Sequence, residues 1–358
     1  MFSDFRLISP SDNGYLKDMF ASAGKESWCY FPPFLNLYSL LPSRPVYIYE
    51  QHSFTIIAQK VTNRREERLD LLIPPISLND NSVDWLNEVI NYLITHTQQS
   101  DLRILWVDES DLEFLSNRFG ESLKYKLKDR DYLYEPQKVF DKKGREFRDL
   151  RKKINRVERL DPVFNEIQSQ DLKSAENLLK DWRKNQGRKR DFLLDWGYTM
   201  SSLKRFHEFT RSELRGWQVS VSGSLRGFAL AGPINNKVGC FFVVKTDTQI
   251  DGLSEYLRWK VFSKLLDHSL VNDAGDLGLP GLRQHKMKMR PSRIDNVYSV
   301  NLTRTGSKKY ESTLSTTLAE VFYRPYVEMF SSSFVIISNN DGCPFSLASI
   351  ALVRAGPI

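Results

Sequence analysis

Hydrophobic positions in the first 135 residues alternate between short runs and longer stretches with a helical period. The short runs predict strands, because apolar side chains recur there at every second position or without interruption. They lie at Val46–Glu50, Phe54–Gln59, Leu69–Ile73 and Leu102–Val107. Helices are predicted from about Ser82 and at Leu112–Phe119, where apolar residues recur every three or four positions. This alternation is typical of an α+β domain.

A second series of elements begins with a short predicted strand at Asp131–Tyr134. The helix that follows it has an apolar face and a cationic face, because its apolar residues are spaced by three, four and three positions. Further predicted helices are Leu172–Trp182, Leu203–Leu214 and Leu253–Leu270, and further predicted strands are Trp217–Val221, Arg226–Ala231, Gly239–Lys245 and Ser269–Asn272. Turn residues separate the first three of these strands, which predicts an antiparallel meander.

The length of 358 residues favours two domains, because a domain usually has about 100–200 residues. We place an N-terminal domain at 1–130, a C-terminal domain at 131–330, and a tail without a catalytic arrangement of side chains at 331–358. No apolar window is long enough for a membrane helix, and Met1–Asp4 does not resemble the start of a signal peptide. We therefore expect a cytoplasmic protein, with peripheral attachment to a membrane surface left open. The three cysteines predict neither disulfides nor a metal site.

Positive charge is concentrated in two segments, although the formal net charge of the chain is only +7. Lys138–Arg159 carries ten Lys and Arg against four acids, and Pro280–Tyr310 carries eight against one. Such segments indicate a polyanionic partner, which could be RNA, an acidic lipid headgroup or a phosphorylated cofactor. A solvated helix face is the alternative for either segment.

The run NDAGDLGLPGLRQHKMKMRP, Asn272–Pro291, combines turn-forming residues with regularly spaced cations. The turn formers are Gly275, Gly278, Pro280 and Gly281, and the cations are Arg283, Lys286 and Arg290. Glycines let the backbone approach a ligand closely, and cations three and four positions apart share one face of a helix. Arginine forks suit phosphate or carboxylate groups. A structural turn followed by a solvated basic segment is the alternative.

Part of this run matches a known family at Asn272, Asp276, Leu277, Gly278, Gly281, Leu282, Arg283, Lys286 and Pro291. These residues resemble the C-terminal domain of bacterial phosphatidylglycerol lysyltransferases and their soluble relatives. Tyr132 and Tyr134 ahead of the basic helix Arg148–Arg159, and Gly252–Leu257 at the start of a later helix, support the resemblance. One departure is Gly275, since the family often has an acidic residue immediately before the matched aspartate.

The resemblance implies a tandem GNAT-like fold of the α+β class, with mixed sheets flanked by helices, and a site in the C-terminal half. The order of helices, meander, helix, strand and loop is also that of a GNAT acyltransferase core. The catalytic candidates are Asp276, Asp273 and Arg283, and the substrate-binding candidates are Asn272, Gly278, Gly281, His285, Lys286, Arg290 and Glu255. The nucleic-acid-binding candidates are Arg148, Arg151, Lys152 and Arg156. Asp276 or Asp273 would accept a proton, and Arg283 or Lys286 would stabilise an oxyanion or bind a terminal phosphate.

The implied activity is transfer of an aminoacyl group from aminoacyl-tRNA to an amine or hydroxyl group on a lipid or small molecule. Aminoacyl-tRNA is then a co-substrate, and we expect no further cofactor. Acyl-CoA is the less favoured donor, because Lys245–Ser254 offers one glycine and two acids where a pyrophosphate would bind. The alternatives are an acyl-CoA-dependent N-acyltransferase and a non-catalytic protein that binds RNA or an anionic membrane. The oligomeric state does not follow from the sequence.

Overall fold

The structure is a computed structural model, which describes residues 5–40, 44–51, 54–62, 67–77, 89–90, 93–94, 101–185 and 193–303. The strands in these residues are β1 (Arg6–Leu7), β2 (Val46–Gln51), β3 (Phe54–Thr62), β4 (Glu67–Leu71), β5 (Ile76–Ser77), β6 (Asp101–Val107), β7 (Leu123–Tyr134), β8 (Val163–Glu166), β9 (Arg215–Val221), β10 (Ser224–Pro233), β11 (Val238–Thr246), β12 (Leu270–Asn272) and β13 (Arg293–Thr303). The helices are α1 (Asn13–Ser22), α2 (Pro32–Tyr38), α3 (Glu109–Phe119), α4 (Pro136–Asp141), α5 (Arg148–Glu158), α6 (Leu172–Asn185), α7 (Leu193–Lys204), α8 (Leu253–Phe262) and α9 (Pro280–Lys288).

The same strand arrangement occurs in both halves of the chain. In the first half, β2, β3 and β4 form an antiparallel meander, and β6 then pairs parallel with β4. In the second half, β9, β10 and β11 form the meander, and β12 pairs parallel with β11. The predicted meander is therefore present, and it has a counterpart near the N-terminus.

The two halves join in one continuous sheet because their last strands are exchanged. Strand β13 pairs with β6 of the first half, and β7 pairs with β12 of the second half. Strands β7 and β13 also pair with each other along most of their length, at the centre of the strand order. The predicted boundary after residue 130 lies inside β7, and the division into two domains stays a prediction.

Hydrophobic side chains pack on both faces of this sheet. Neighbouring residues of β11 illustrate the alternation, since Phe241 and Phe242 belong to different buried clusters. Helices α5 and α8 cover the cluster of Phe241, where Leu150, Ile154 and Val157 of α5 are buried. The predicted amphipathic helix is therefore confirmed in this region. None of the helices in the described ranges is long and apolar enough to cross a membrane.

Two predicted helices differ from the observed ones. The helix predicted at Leu203–Leu214 is instead α7, which ends at Lys204; the chain then turns, with Thr210 capped by the side chain of Glu213. The helix predicted to reach Leu270 ends at Phe262, where the Ser263 hydroxyl bonds the backbone carbonyl of Lys260. Such local side-chain bonds compete with helix propagation.

Some predicted segments lie largely or wholly outside the described residues. Of the helix predicted from Ser82, only Val89, Ile90, Leu93 and Ile94 are described, and these four are helical and buried. The tail predicted at 331–358 lies entirely outside the described residues.

Candidate active site

The candidate site lies where the parallel strands β11 and β12 separate. They pair only between Val238–Cys240 and Leu270–Asn272. Strand β11 then continues to Thr246, whereas the chain turns away after Asn272. In sheets of this kind, ligands bind outside the carboxyl ends of the parallel strands. The predicted Gly-rich turn therefore begins at a favourable edge.

Backbone hydrogen bonds hold this turn against β7. The amide of Asp273 donates to the Tyr132 carbonyl at 2.9 Å, and the amide of Tyr132 donates to the Ala274 carbonyl at 3.3 Å. Ala274 and Leu277 both have φ angles in the left-handed region, at 51° and 53°. Left-handed backbone costs non-glycine residues about 1–3 kcal/mol each, so the surrounding contacts must impose this conformation.

Asp273 and Lys286 form a buried ion pair beneath the turn. Lys286 Nζ lies 3.2 Å from the Asp273 carboxylate and also donates to the Asp273 and Ala274 carbonyls, while Arg258 Nη1 donates to the same carboxylate at 2.5 Å. Burial would raise the pKa of Asp273, but Arg258 and Lys286 outweigh it and lower that pKa. Burial lowers the pKa of Lys286, against the attraction of Asp273. Both side chains are only 4–5% exposed, so they stabilise the turn from inside.

Asp276 lies next to this pair and receives three hydrogen bonds. Tyr132 Oη donates to it at 2.5 Å, Arg283 Nε at 2.9 Å and the Gly278 amide at 2.8 Å. Burial would raise the pKa of Asp276, but the bonds from Tyr132 and Arg283 lower it below its ordinary value. The Arg283 side chain is 48% exposed, so its guanidinium joins the buried cluster to solvent.

Helix α8 contributes Glu255 to the other side of α9. Its carboxylate is 4% exposed and lies 2.5 Å from Lys153 Nζ and 3.5 Å from His285 Nδ1. Burial would raise the pKa of Glu255, but His285 and Lys153 lower it to about 2. His285 is largely buried, and burial lowers its pKa. Glu255 and His285 therefore connect α9 to α8 and to the basic helix α5.

Asn272 is fully buried and acts as a brace. Its side-chain amide donates to the Glu26 carbonyl at 3.0 Å and to Asp131 Oδ2 at 2.8 Å, and its oxygen accepts from the Ala274 amide. Asp131 Oδ2 also accepts bonds from the Ser27 hydroxyl and the Trp28 amide. Burial raises the pKa of Asp131 to about 6, even though Asn272 and Ser27 donate to it.

The remaining predicted substrate-binding residues are at the surface of this segment. Gly278 has a φ of 70°, a conformation that glycine adopts without strain. Gly281 lies in the first turn of α9 with open space around it. Arg290 is exposed, and its Nε donates to the Glu146 carbonyl at 3.1 Å.

The structure therefore brings Asp273, Asp276, Arg283 and Lys286 together around Tyr132, whose ring centre is 5.5 Å from Lys286 Nζ. A cavity of about 430 Å³ lies elsewhere, between α6 and the ends of β10 and β11, and none of the predicted site residues lines it.

The four predicted nucleic-acid-binding residues lie on α5, and their side chains have different roles. Arg148 and Lys152 are exposed. Arg151 is part-buried and caps the preceding loop by donating to the carbonyls of Lys142 and Gly144. Arg156 is 64% exposed and paired with Asp251. Arg148 and Lys152 are thus the members of this set best placed for a polyanion.

Sequence reasoning missed two charged residues that contact the cluster, Asp129 and Arg258, and it missed Asp131, which accepts a hydrogen bond from Asn272 beside the cluster. Asp129 Oδ1 accepts a bond from the Asp276 amide at 3.0 Å, across 147 positions of sequence. One sequence feature could have indicated Asp131, since it is a carboxylate at the start of an otherwise apolar predicted strand, Asp131–Tyr134. No comparable local signal exists for Arg258, because its partner Asp273 becomes a neighbour only after folding.

Comparisons with known proteins agree on the fold. A conserved protein of unknown function from Bacteroides thetaiotaomicron superposes with a TM-score of 0.72 at 18% identity, covering 84% of this chain and 99% of that one. L-PGS from Bacillus licheniformis gives 0.58 at 15% identity, with 85% and 95% coverage. FemX gives 0.53 at 9% identity, with 84% and 97% coverage. No curated protein matches the sequence of this chain.

These similarities confirm the predicted α+β fold, a mixed sheet with flanking helices of the GNAT-like tandem acyltransferase type. The family model described as "Phosphatidylglycerol lysyltransferase, C-terminal" matches residues 33–301, well over half of the chain. The matched range includes the turn, α9 and the basic helix. Membership of such a family supports a transferase activity. The chain therefore belongs to the phosphatidylglycerol lysyltransferase C-terminal family.

Proposed function

We propose that this protein transfers an aminoacyl group from aminoacyl-tRNA to an amine or hydroxyl group on a lipid or small molecule. The observation that carries the proposal is the family match over residues 33–301, which includes the cluster of Asp276, Arg283 and Lys286. The ester bond of aminoacyl-tRNA is already activated. Orientation of the acceptor and stabilisation of the developing oxyanion would therefore supply most of the rate.

Arg283 is the cation of the cluster best suited to touch a substrate. Half of its side chain is exposed, while Asp276 fixes its Nε edge at 2.9 Å. A guanidinium held at one edge presents its other N–H groups in a defined direction, which suits an oxyanion or a phosphate. Lys286 and Asp273 are buried, so in this proposal they hold the turn in place rather than contact the donor.

Aminoacyl-tRNA suits the charges around α8 better than acyl-CoA does. A pyrophosphate would need the free amides at the start of α8. Gly252 precedes this helix, and a Cβ at that position would come within 2.9 Å of the Lys153 carbonyl, so α5 packs closely there. Glu255 places a carboxylate in the first turn, and Asp251 precedes it. Both carboxylates form ion pairs with cations of α5, so side chains already cover the start of α8, where a pyrophosphate would need free amides.

The basic helix α5 supplies a surface for the tRNA. Arg148 and Lys152 are exposed on it, and phosphate contacts supply most of the affinity of proteins for nucleic acids. The same positive surface would also attract the headgroups of an anionic lipid acceptor. In this proposal the protein acts at or near the cytoplasmic face of a membrane.

The test is a transfer assay with a defined set of donors. The purified protein would be incubated with tRNA charged with a mixture of radiolabelled amino acids, or with acyl-CoA, together with anionic lipid vesicles and small amines. Mass spectrometry would identify the products. We expect an aminoacylated acceptor from the tRNA reaction, and equal activity in the surface control Arg211→Lys. Acylated products from acyl-CoA alone would refute aminoacyl-tRNA as the donor. The absence of a product with every charged tRNA would refute the proposal.

A further inference from the structure

Asp129 is the carboxylate of the cluster that forms no ion pair with any residue in the described part of the chain. Its Oδ1 accepts bonds from the amides of Arg130, at 2.8 Å, and Asp276, at 3.0 Å. Its Oδ2 makes no hydrogen bond to any described residue, and the side chain is only partly exposed. One oxygen is therefore fixed by the turn and the other remains available.

Asp129 faces Gly275, and the two positions exclude each other sterically. A Cβ added at Gly275 would overlap both oxygens and the carbon of the Asp129 carboxylate. The φ of Gly275 lies outside the left-handed region, so space rather than backbone conformation requires glycine here. Asp129 on β7 thus puts a carboxylate where a side chain of residue 275 would start, immediately before Asp276.

The other two carboxylates of the cluster are poor proton acceptors. Asp273 is paired with Arg258 and Lys286, and Asp276 is paired with Arg283, so both pKa values lie below the ordinary value. Burial raises the pKa of Asp129 despite the amide bonds from Arg130 and Asp276. A general base works best when its pKa approaches the working pH. Asp129 meets this requirement better than Asp273 or Asp276.

We propose that Asp129 is the general base of the transfer reaction, acting through Oδ2, the oxygen that receives no hydrogen bond from the described residues. This inference rests on the proposed function. A lone pair of the acceptor nitrogen or oxygen attacks the ester carbonyl carbon and forms the new bond, while Asp129 takes the acceptor's proton. The carbon–oxygen bond to the terminal ribose of the tRNA then breaks. The leaving ribose oxygen takes the proton from Asp129, which restores the carboxylate and consumes no other reactant.

The first test replaces Asp129 by asparagine, which can still accept the Asp276 amide bond but cannot take a proton. We expect transfer to fall by about 100-fold to 10,000-fold, the usual range for a lost general base. We expect the wild-type rate to rise with pH as Asp129 ionises, and we expect this rise to disappear in Asp129→Asn. The control is Asp267→Asn, since Asp267 is 76% exposed. Thermal unfolding of each variant shows whether it folds.

The second test moves the carboxylate from strand to turn. Asp129→Gly alone should be inactive, and the double variant Asp129→Gly/Gly275→Asp should regain at least about tenfold, because a carboxylate returns to the same place. Gly275→Ala should lower the melting temperature in the wild-type background but not in Asp129→Gly, since the steric overlap is then absent.

The outcomes separate this proposal from the proposed function. If the wild-type protein is active and Asp129→Asn keeps the same rate and pH profile, Asp129 is not the general base. The proposal of aminoacyl transfer would remain. A folded double variant without any recovery would show that Asp129 only positions the turn, and would also refute the base. A wild-type protein that transfers from no charged tRNA would overturn both proposals.

Discussion

Replacing Asp131 by asparagine should stabilise the protein near neutral pH. Asp131 is fully buried, and its Oδ2 accepts all three of its hydrogen bonds, from Ser27, Trp28 and Asn272. Its Oδ1 is buried without a partner in the described structure. The asparagine oxygen can take the place of Oδ2 and keep the three bonds. The amide nitrogen then replaces the unpartnered oxygen, and the buried negative charge is removed.

The size of the effect follows from the pKa of Asp131, which burial raises from 3.8 to about 6. The folded chain holds this proton at a pH where the unfolded chain has released it. The free energy of unfolding therefore falls as the pH rises from about 4 to 6. Two pKa units correspond to about 3 kcal/mol, since one unit is worth about 1.4 kcal/mol. Asp131→Asn removes the ionisable group, so its free energy of unfolding does not fall by this amount.

The assay is urea unfolding of the wild-type protein and Asp131→Asn at several values between pH 4 and 7.5. The difference between the two proteins isolates this group, because every other carboxylate is shared. We expect the variant to gain about 3 kcal/mol relative to wild type across this range. The exposed control Asp267→Asn should show no such trend. A difference between Asp131→Asn and wild type that stays constant with pH would refute the reasoning.

Three further predictions concern the cations. Lys286→Met should lower the free energy of unfolding by about 3–5 kcal/mol in urea, because it leaves a buried carboxylate short of a cation; a loss below 1 kcal/mol would contradict the buried pair. Arg283→Lys keeps the charge but loses the fork, so transfer should fall about tenfold with unchanged unfolding; full activity would exclude Arg283 as a substrate contact. Arg148→Glu with Lys152→Glu should weaken tRNA binding and flatten its salt dependence in filter binding, whereas Lys180→Glu should not; salt-insensitive wild-type binding would contradict the tRNA surface.

Local hydrophobic pattern predicted most of the regular elements. The meander β9–β11, strands β2, β3 and β6, and the basic helix were all visible from apolar spacing. Strand β13 was not predicted, because Arg293–Thr303 is polar along much of its length. In the folded sheet it lies between β6 and β7. Its pairing with β6 and β7 joins residues that are 160 to 202 positions apart. The local spacing of apolar residues cannot predict a strand pairing over such a distance in sequence.

The site was predicted as a set of residues, and its internal pairing was not. Glycine spacing and family resemblance selected Asp276, Arg283 and Lys286, which the fold does bring together. Sequence alone treated Asp273 and Asp276 as equivalent bases. Ion pairing distinguishes them from Asp129, since each of the two has a cation within 3.2 Å and Asp129 has none at that distance among the described residues. Which carboxylate lacks a cation depends on distances that exist only in the folded chain.

Three cations of the second basic segment are paired with carboxylates in the part of the chain that the structure describes. Lys286 is buried against Asp273, Arg283 is paired with Asp276, and Arg293 lies within 2.8 Å of both Glu26 and Asp295. Cations already paired with carboxylates release fewer counterions when a nucleic acid binds, so they add little to its affinity. Arg148 and Lys152 of the basic helix are exposed, so among the described cations they are better placed than these three to attract a polyanion. The turn remains free to act on the reacting end of the substrate, which is why the two basic segments should be tested by different assays, salt-dependent binding for the helix and transfer rate for the turn.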